Sequence, residues 1–258
     1  MPEEPERSPS HTGRRWIASV LIAALASGVV LAVLVAAGVL WPNRVFAAGY
    51  DVRGIDVSHH NGTIDWELVA AQDIDFAYVK ATEGSGYVDE RFAENWDGAR
   101  AAGLMVGAYH FMSFESSGQE QAANLVDTVP PEADALTPVV DLEPYGEYLG
   151  DLPPADRVHE ILDPLLTEIE EHYGRPATLY TTAEAYDAYL AGRYPRNPVW
   201  IRGVVLPPRL SDGRDWTIWQ YSHRDRLDGV GTDPGAEPFV DMNVVDGTLA
   251  DLGGRPVG

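Results

Sequence analysis

From Val52 onward, short apolar runs alternate with amphipathic stretches, and that alternation restricts the possible folds more than any other feature of the chain. Residues 54–57, 75–80, 105–111, 138–142, 177–181, 198–202, 216–221 and 239–244 read as strands. Residues 66–72, 89–102, 117–128, 155–172 and 183–191 carry apolar positions at helical spacing, with Gly103 and Gly174 as C-terminal stops. Strand and helix in alternation over this length predict a parallel α/β barrel, whose functional side chains gather at the C-terminal ends of the strands. The ideal breaks down late in the chain. Between Arg193 and Asp241 there is little helical pattern, and Pro207-Pro208 and residues 229–238 read as loops. The expectation is an irregular TIM-like β/α barrel with a helix-poor closing section.

The strand ends collect a particular chemistry. In chain order they offer Asp56, Glu83, Tyr109 and His110, Asp141 and Glu143, Tyr180, Trp219-Gln220-Tyr221, then Asp241 and Asn243. Asp141 and Glu143 close the apolar run 136–140, where a carboxylate is costly to hold. If the run is a strand, both acids point to one face and Leu142 to the other, with Cα atoms roughly 6 to 7 Å apart. Acids for proton transfer beside aromatic faces that stack on sugar rings describe a carbohydrate site. Each residue also has a plainer reading. Asp56 can cap the turn 58–62, Asp241 can be a buried structural acid, and Glu83 can be a salt-bridged part of the scaffold. His59, His60 and His110 are candidate metal ligands, although a histidine at a strand end more often bonds substrate or backbone. Trp200, Trp216 and Trp219 divide between core and cleft.

The first residues bear on location. Residues 16–41 form an uncharged segment longer than the roughly 20 residues needed to cross a bilayer. Arg7, Arg14 and Arg15 precede it and Arg44 and Arg53 follow it, a weak bias towards a cytoplasmic N-terminus. The run exceeds the usual 7 to 15 apolar residues of a signal peptide, yet Val45-Phe46-Ala47 suits a signal peptidase. We therefore read 1–15 as a cytoplasmic tail, 16–41 as a transmembrane signal anchor with a signal peptide as the alternative, 42–51 as a tether, 52–252 as the catalytic domain outside the membrane and 253–258 as a tail. With no cysteine, disulfides and thiol catalysis are excluded. The charges of the first 15 residues cancel, so the net charge of -22 lies almost wholly beyond the apolar segment and disfavours a nucleic-acid partner.

Six stretches in order, 54–62 (Gly-Ile-Asp-Val-Ser-His-His-Asn-Gly), 78–84 (Tyr-Val-Lys-Ala-Thr-Glu-Gly), 107–111 (Gly-Ala-Tyr-His-Phe), 140–143 (Val-Asp-Leu-Glu), 219–222 (Trp-Gln-Tyr-Ser) and 240–244 (Val-Asp-Met-Asn-Val), resemble the family 25 glycoside hydrolases. These are the Chalaropsis-type lysozymes, N-acetylmuramidases that cut bacterial peptidoglycan. The resemblance covers about residues 52–252 and leaves the apolar segment outside it. It implies an irregular barrel with an acidic cleft, bacterial peptidoglycan as partner, and neither metal nor organic cofactor. The family's acid/base glutamate falls on Glu143, its assisting aspartate on Asp141, and its supporting acids on Asp56 and Asp241. Glu83, Tyr109, His110, Tyr180, Trp219, Gln220 and Tyr221 are then the expected substrate-binding residues, and a monomer is the expected state. Two departures stand out. Arg202 occupies a position where the family usually has a small residue, and residues 223–238 are longer and more charged than the usual turn. The rival readings are a membrane-tethered peptidoglycan-binding protein without catalysis and a metal-dependent polysaccharide hydrolase using His59 and His60.

Overall fold

The computed structural model describes residues 11–36, 40–41 and 43–253. The greater part of the expected cytoplasmic tail, residues 1–10, and the C-terminal residues 254–258 lie outside the described residues. The chain divides after Pro42 into two units.

The first unit holds helix α1 (His11–Ala36), within which Arg15–Val35 is long and apolar enough to cross a membrane. At 1.5 Å per residue such a stretch is about 30 Å long, the thickness of a bilayer's hydrocarbon core. The helix stops short of the expected boundary at residue 41, since Leu40 and Trp41 are not helical.

The second unit is a closed barrel. Strands β1 (Arg53–Val57), β2 (Phe76–Glu83), β4 (Met105–Phe111), β5 (Val139–Leu142), β6 (Thr178–Thr182), β7 (Val199–Arg202), β8 (Ile218–Asp225) and β9 (Val240–Val245) form the wall, and the two-residue β3 (Tyr87–Val88) folds back on the end of β2. β1 pairs with both β2 and β9, which closes the ring. From β1 through β8 the neighbours are parallel, but β9 runs antiparallel to β8 and to β1. The all-parallel expectation therefore fails at the last strand. A parallel strand needs a crossover, usually a helix, to carry the chain back to the barrel's starting end. Residues 226–239 supply none, and the chain returns as a wide hairpin.

The outer layer comprises α3 (Trp66–Ala70), α4 (Phe92–Ala101), α5 (Gly118–Thr128), α6 (Ala155–Tyr173) and α7 (Ala183–Ala185), which continues as a π-turn over Tyr186–Leu190. Their ends follow local chemistry. The Asp65 side chain accepts from the Leu68 N–H, Ser117 and Glu120 make a reciprocal capping box, and Gly174 closes α6 with φ 70°. Inside the ring, Phe76, Tyr78, Met105, Val139, Tyr180, Trp200, Ile218 and Val245 pack together, with Leu136 and Leu252 plugging the floor where the parallel strands begin. Gly107 makes room for one of these rings: a Cβ there would lie 2.2 Å from Tyr78 Cε1. Forcing a methyl into so tight a site typically costs about 1–3 kcal/mol.

Residues 43–51 are not the free tether expected of them. Helix α2 (Asn43–Ala47) packs on the barrel with Asn43 and Ala47 fully buried. Asn43 Nδ2 donates to the carbonyls of Gly203 (2.7 Å) and Tyr221 (3.2 Å), and Arg44 pairs with Asp225. Tyr50 then rests against Trp216 and Trp219, at ring distances of 5.5 and 6.2 Å. Pro42 lies outside the described residues.

Candidate active site

The C-terminal ends of the parallel strands surround one cleft, the mouth of the barrel. Strand alternation sends Asp56, Lys80, Tyr109, Asp141, Tyr180 and Trp200 to the interior face, and these line the cleft with Ser58, His60, Phe111, Val139, Glu143 and Asp241. Asp241 stands at the beginning of its strand, yet it reaches the mouth because β9 runs the other way. It lies directly opposite Asp56 in the antiparallel register. A second chamber opens beside the first, sharing Asp56, Ser58, His60, Tyr109 and Asp241 and adding Asn61, His223, Glu237 and Phe239. Its far wall is the long β8–β9 segment, held down where the Glu237 N–H meets the His60 carbonyl at 2.7 Å and Asn61 Nδ2 meets the Phe239 carbonyl at 3.0 Å.

Four carboxyl groups line the first chamber, and each of these four is raised above its ordinary value. Burial is the largest cause for Asp141, followed by the Glu143 and Asp56 charges, against Lys80. Burial also leads for Glu143, with Arg202 acting in the opposite direction and Asp56 adding to the rise. Asp241 is pushed well up by burial and then by Asp56. Asp56 is raised by burial against hydrogen bonds from Asn243 and Gln220. Such groups titrate together, and their protons belong to the cluster rather than to single residues. The mouth thus retains carboxyl protons at a pH where isolated acids have lost them.

A network holds Asp56 in place. Asn243 Nδ2 donates to it at 2.7 Å while Asn243 Oδ1 accepts from Trp200 Nε1 at 2.9 Å. Gln220 Nε2 reaches Asp56 at 3.2 Å, and Gln220 Oε1 accepts from the Tyr180 hydroxyl at 3.0 Å. Asp141 differs. It is 7% exposed, and its Oδ1 is buried with no hydrogen-bond partner among the described residues.

The structure brings Asp56, Tyr109, Asp141, Glu143, Tyr180 and Asp241 together at the cleft, with Gln220 directly behind Asp56. Four expected binding residues are elsewhere. His110 is fully buried on the opposite face of β4 from Tyr109, between Thr82 Oγ1 (2.8 Å) and Gln121 Oε1 (3.0 Å), and burial lowers its pKa to about 4. Trp219 and Tyr221 flank Gln220 in β8, so alternation turns both outward into the packing around α2, and Trp219 Nε1 donates to the Gly203 carbonyl at 2.9 Å. Glu83 pairs with Lys80 Nζ at 2.6 Å and does not line the cleft. His59 Nδ1 lies 2.7 Å from Asp89, and among the described residues no group of three or more His, Cys, Asp and Glu is arranged to hold a metal ion. Asn243, counted among the strand ends, and Trp200, one of the tryptophans divided between core and cleft, both belong to the site, and Lys80 and Phe111 are added to it by the structure. Their signal was parity: each lies an even number of positions from another inward-facing residue of its strand.

The model of Glycosyl hydrolases family 25 matches residues 55–230. Lysozyme M1 of Streptomyces globisporus is 34% identical over 212 residues, which cover 78% of this chain and 70% of that protein. Among solved structures, a family 25 glycosyl hydrolase from Bacillus anthracis superposes with a TM-score of 0.74 at 39% identity, covering 81% of this chain and 95% of its own. A bacterial lysozyme from Streptomyces coelicolor gives 0.69 at 32% identity, over 78% and 95%.

Proposed function

This chain belongs to glycosyl hydrolase family 25 and is a lysozyme-type glycoside hydrolase, and on that premise we propose that it hydrolyses the β-1,4 bond between N-acetylmuramic acid and N-acetylglucosamine in bacterial peptidoglycan. The observation that carries this reading is the single cleft in which Asp141, Glu143, Asp56 and Asp241 converge beside Tyr109, Tyr180 and Phe111. Glu143 is the more open member of the central pair, and burial helps it keep a proton. It donates that proton to the glycosidic oxygen as the bond to the muramic anomeric carbon breaks. Asp141 accepts a hydrogen bond from the substrate's acetamide N–H at its unpartnered buried oxygen, and so orients the acetamide carbonyl oxygen to attack the anomeric carbon. Water then opens the cyclic intermediate, returning its proton to Glu143. Asp56, the less raised of the facing pair Asp56 and Asp241, carries negative charge against the cationic transition state, on a framework set by Asn243 and Gln220.

The reading extends to place. Arg15–Val35 supports a retained anchor with the barrel on the outer side of the membrane, acting on cell wall close to the producing cell. A non-catalytic binding protein fits less well, because carboxyl groups held in a protonated state serve proton transfer and add nothing to glycan affinity that a hydroxyl would not.

Digestion of purified peptidoglycan by the detergent-solubilised full chain is expected to expose reducing-end N-acetylmuramic acid, identified by mass spectrometry. Reducing-end N-acetylglucosamine would refute the bond assignment. In the same assay Glu143→Gln should lower turnover by roughly two or more orders of magnitude, the usual share of general acid catalysis. A substrate whose muramic acetamide is replaced by a free amine should be nearly inert. Its efficient cleavage, with a trappable adduct on Asp141, would make Asp141 the nucleophile instead.

A further inference from the structure

Arg202 is the cation that the acidic mouth does not neutralise. Alternation places it on the inward face of β7, two residues beyond the cleft-lining Trp200, and its register partner on β8 is Gln220, the donor to Asp56. Its charge acts on Glu143, Asp56 and Asp241 in the first chamber and on His223 in the second. Among the described residues, however, its side chain forms no hydrogen bond and no salt bridge within 4.0 Å. The cation that lines the cleft itself, Lys80, is committed to Glu83 at 2.6 Å. The backbone that carries Arg202 is fixed. The next residue, Gly203, donates its N–H to the Gln220 carbonyl at 3.0 Å, and its own carbonyl accepts from both Trp219 Nε1 and Asn43 Nδ2.

A planar guanidinium on a rigid strand end is suited to a carboxylate, which it can meet with two parallel hydrogen bonds. Among carboxyl groups, charged or protonated, an anionic substrate group finds no electrostatic partner unless such a cation meets it. We propose that Arg202 is a specificity-determining residue that binds a carboxylate borne on the lactyl arm of the muramic residue. Two sources share that chemistry: the free lactyl carboxylate of a strand stripped of peptide, and the first acidic residue of an attached stem peptide. The inference rests on the muramidase reading and deepens it.

The test compares the full chain with Arg202→Gln and Arg202→Lys on three substrates. These are glycan strands with stem peptides, peptide-free strands with free lactyl carboxylates, and peptide-free strands with that carboxylate reduced to an alcohol. The native protein should cleave a carboxylate-bearing strand better than the reduced one. Arg202→Gln should lose roughly 10- to 100-fold in kcat/KM on the carboxylate-bearing strand, chiefly through KM, the scale of a lost charge-assisted contact. On reduced strands, each protein being compared at its own pH optimum, Arg202→Gln should lose far less, and Arg202→Lys should recover part of the loss on the carboxylate-bearing strand. A loss on peptide-bearing strands alone assigns the carboxylate to the stem peptide, and a loss on stripped strands alone assigns it to the lactyl group. An equal loss on all three, with a displaced pH profile, would overturn the proposal and leave Arg202 tuning the acids. A native protein inactive on every substrate would defeat the muramidase reading itself, a separate outcome.

Discussion

At the scale of single residues, the mouth sets stability against function. The Asp141 carboxyl is held well above its ordinary range, first by burial and then by Glu143. A folded-state pKa above the unfolded one means that stability is fully present at low pH and falls as pH rises from the ordinary carboxylate range through the raised value. At pH 7 the native Asp141 therefore weakens the fold, and Asp141→Asn should raise the melting temperature while abolishing most turnover. The gain should vanish below about pH 4, where both states of the native carboxyl are protonated. Equal melting temperatures at pH 7, or a gain that persists in acid, would contradict this account. The pairing of Asp141 with Glu143 was legible because Glu143, one residue beyond the end of β5, keeps the even spacing of the strand. The same rule separates Tyr109 from His110 and Gln220 from its neighbours Trp219 and Tyr221, so placing all five at one mouth ignored the alternation that identified the acids. Glu83 was undecidable from spacing, since its partner Lys80 lies across a register irregularity in β2.

At the scale of elements, the strand and helix order could be read closely, because each run is bounded by caps and glycines close to it in sequence. The docking of α2 could not. Its stability comes from partners 160 and 178 residues away, and its five residues are too few to show periodicity. Asn43 donates to two carbonyls at once from a fully buried side chain, so Asn43→Ala should destabilise the barrel by about 1–3 kcal/mol, the scale of losing such hydrogen bonds. Denaturant unfolding would measure it, and a change within error would show that water replaces the amide there. Because Gly203 is one of the two acceptors, the same substitution should also loosen the backbone that carries Arg202.

At the scale of the whole molecule, anchoring and folding bear on each other. Cleavage after Ala47 would remove α2 together with its buried contacts, so the folded body favours retention of everything before it. The expected result is that the protein fractionates with membranes, with the barrel accessible to protease from outside. Recovery only of a chain starting near Ala48 would overturn the anchor while leaving export intact. The reversed direction of β9 also affects how the barrel can be combined with other domains. It delivers Asp241 to the mouth and in the same stroke carries the chain away from it, so that Val245 ends beside Val52 at the floor and Leu252 seals the bottom against Thr137. A parallel closing strand would have released the chain at the rim, among the substrate-binding groups. As built, a cell-wall-binding module or a reporter spliced on after Leu252 would leave from the side opposite the cleft, and the enzyme could gain such modules without the linker crossing the path of a glycan strand.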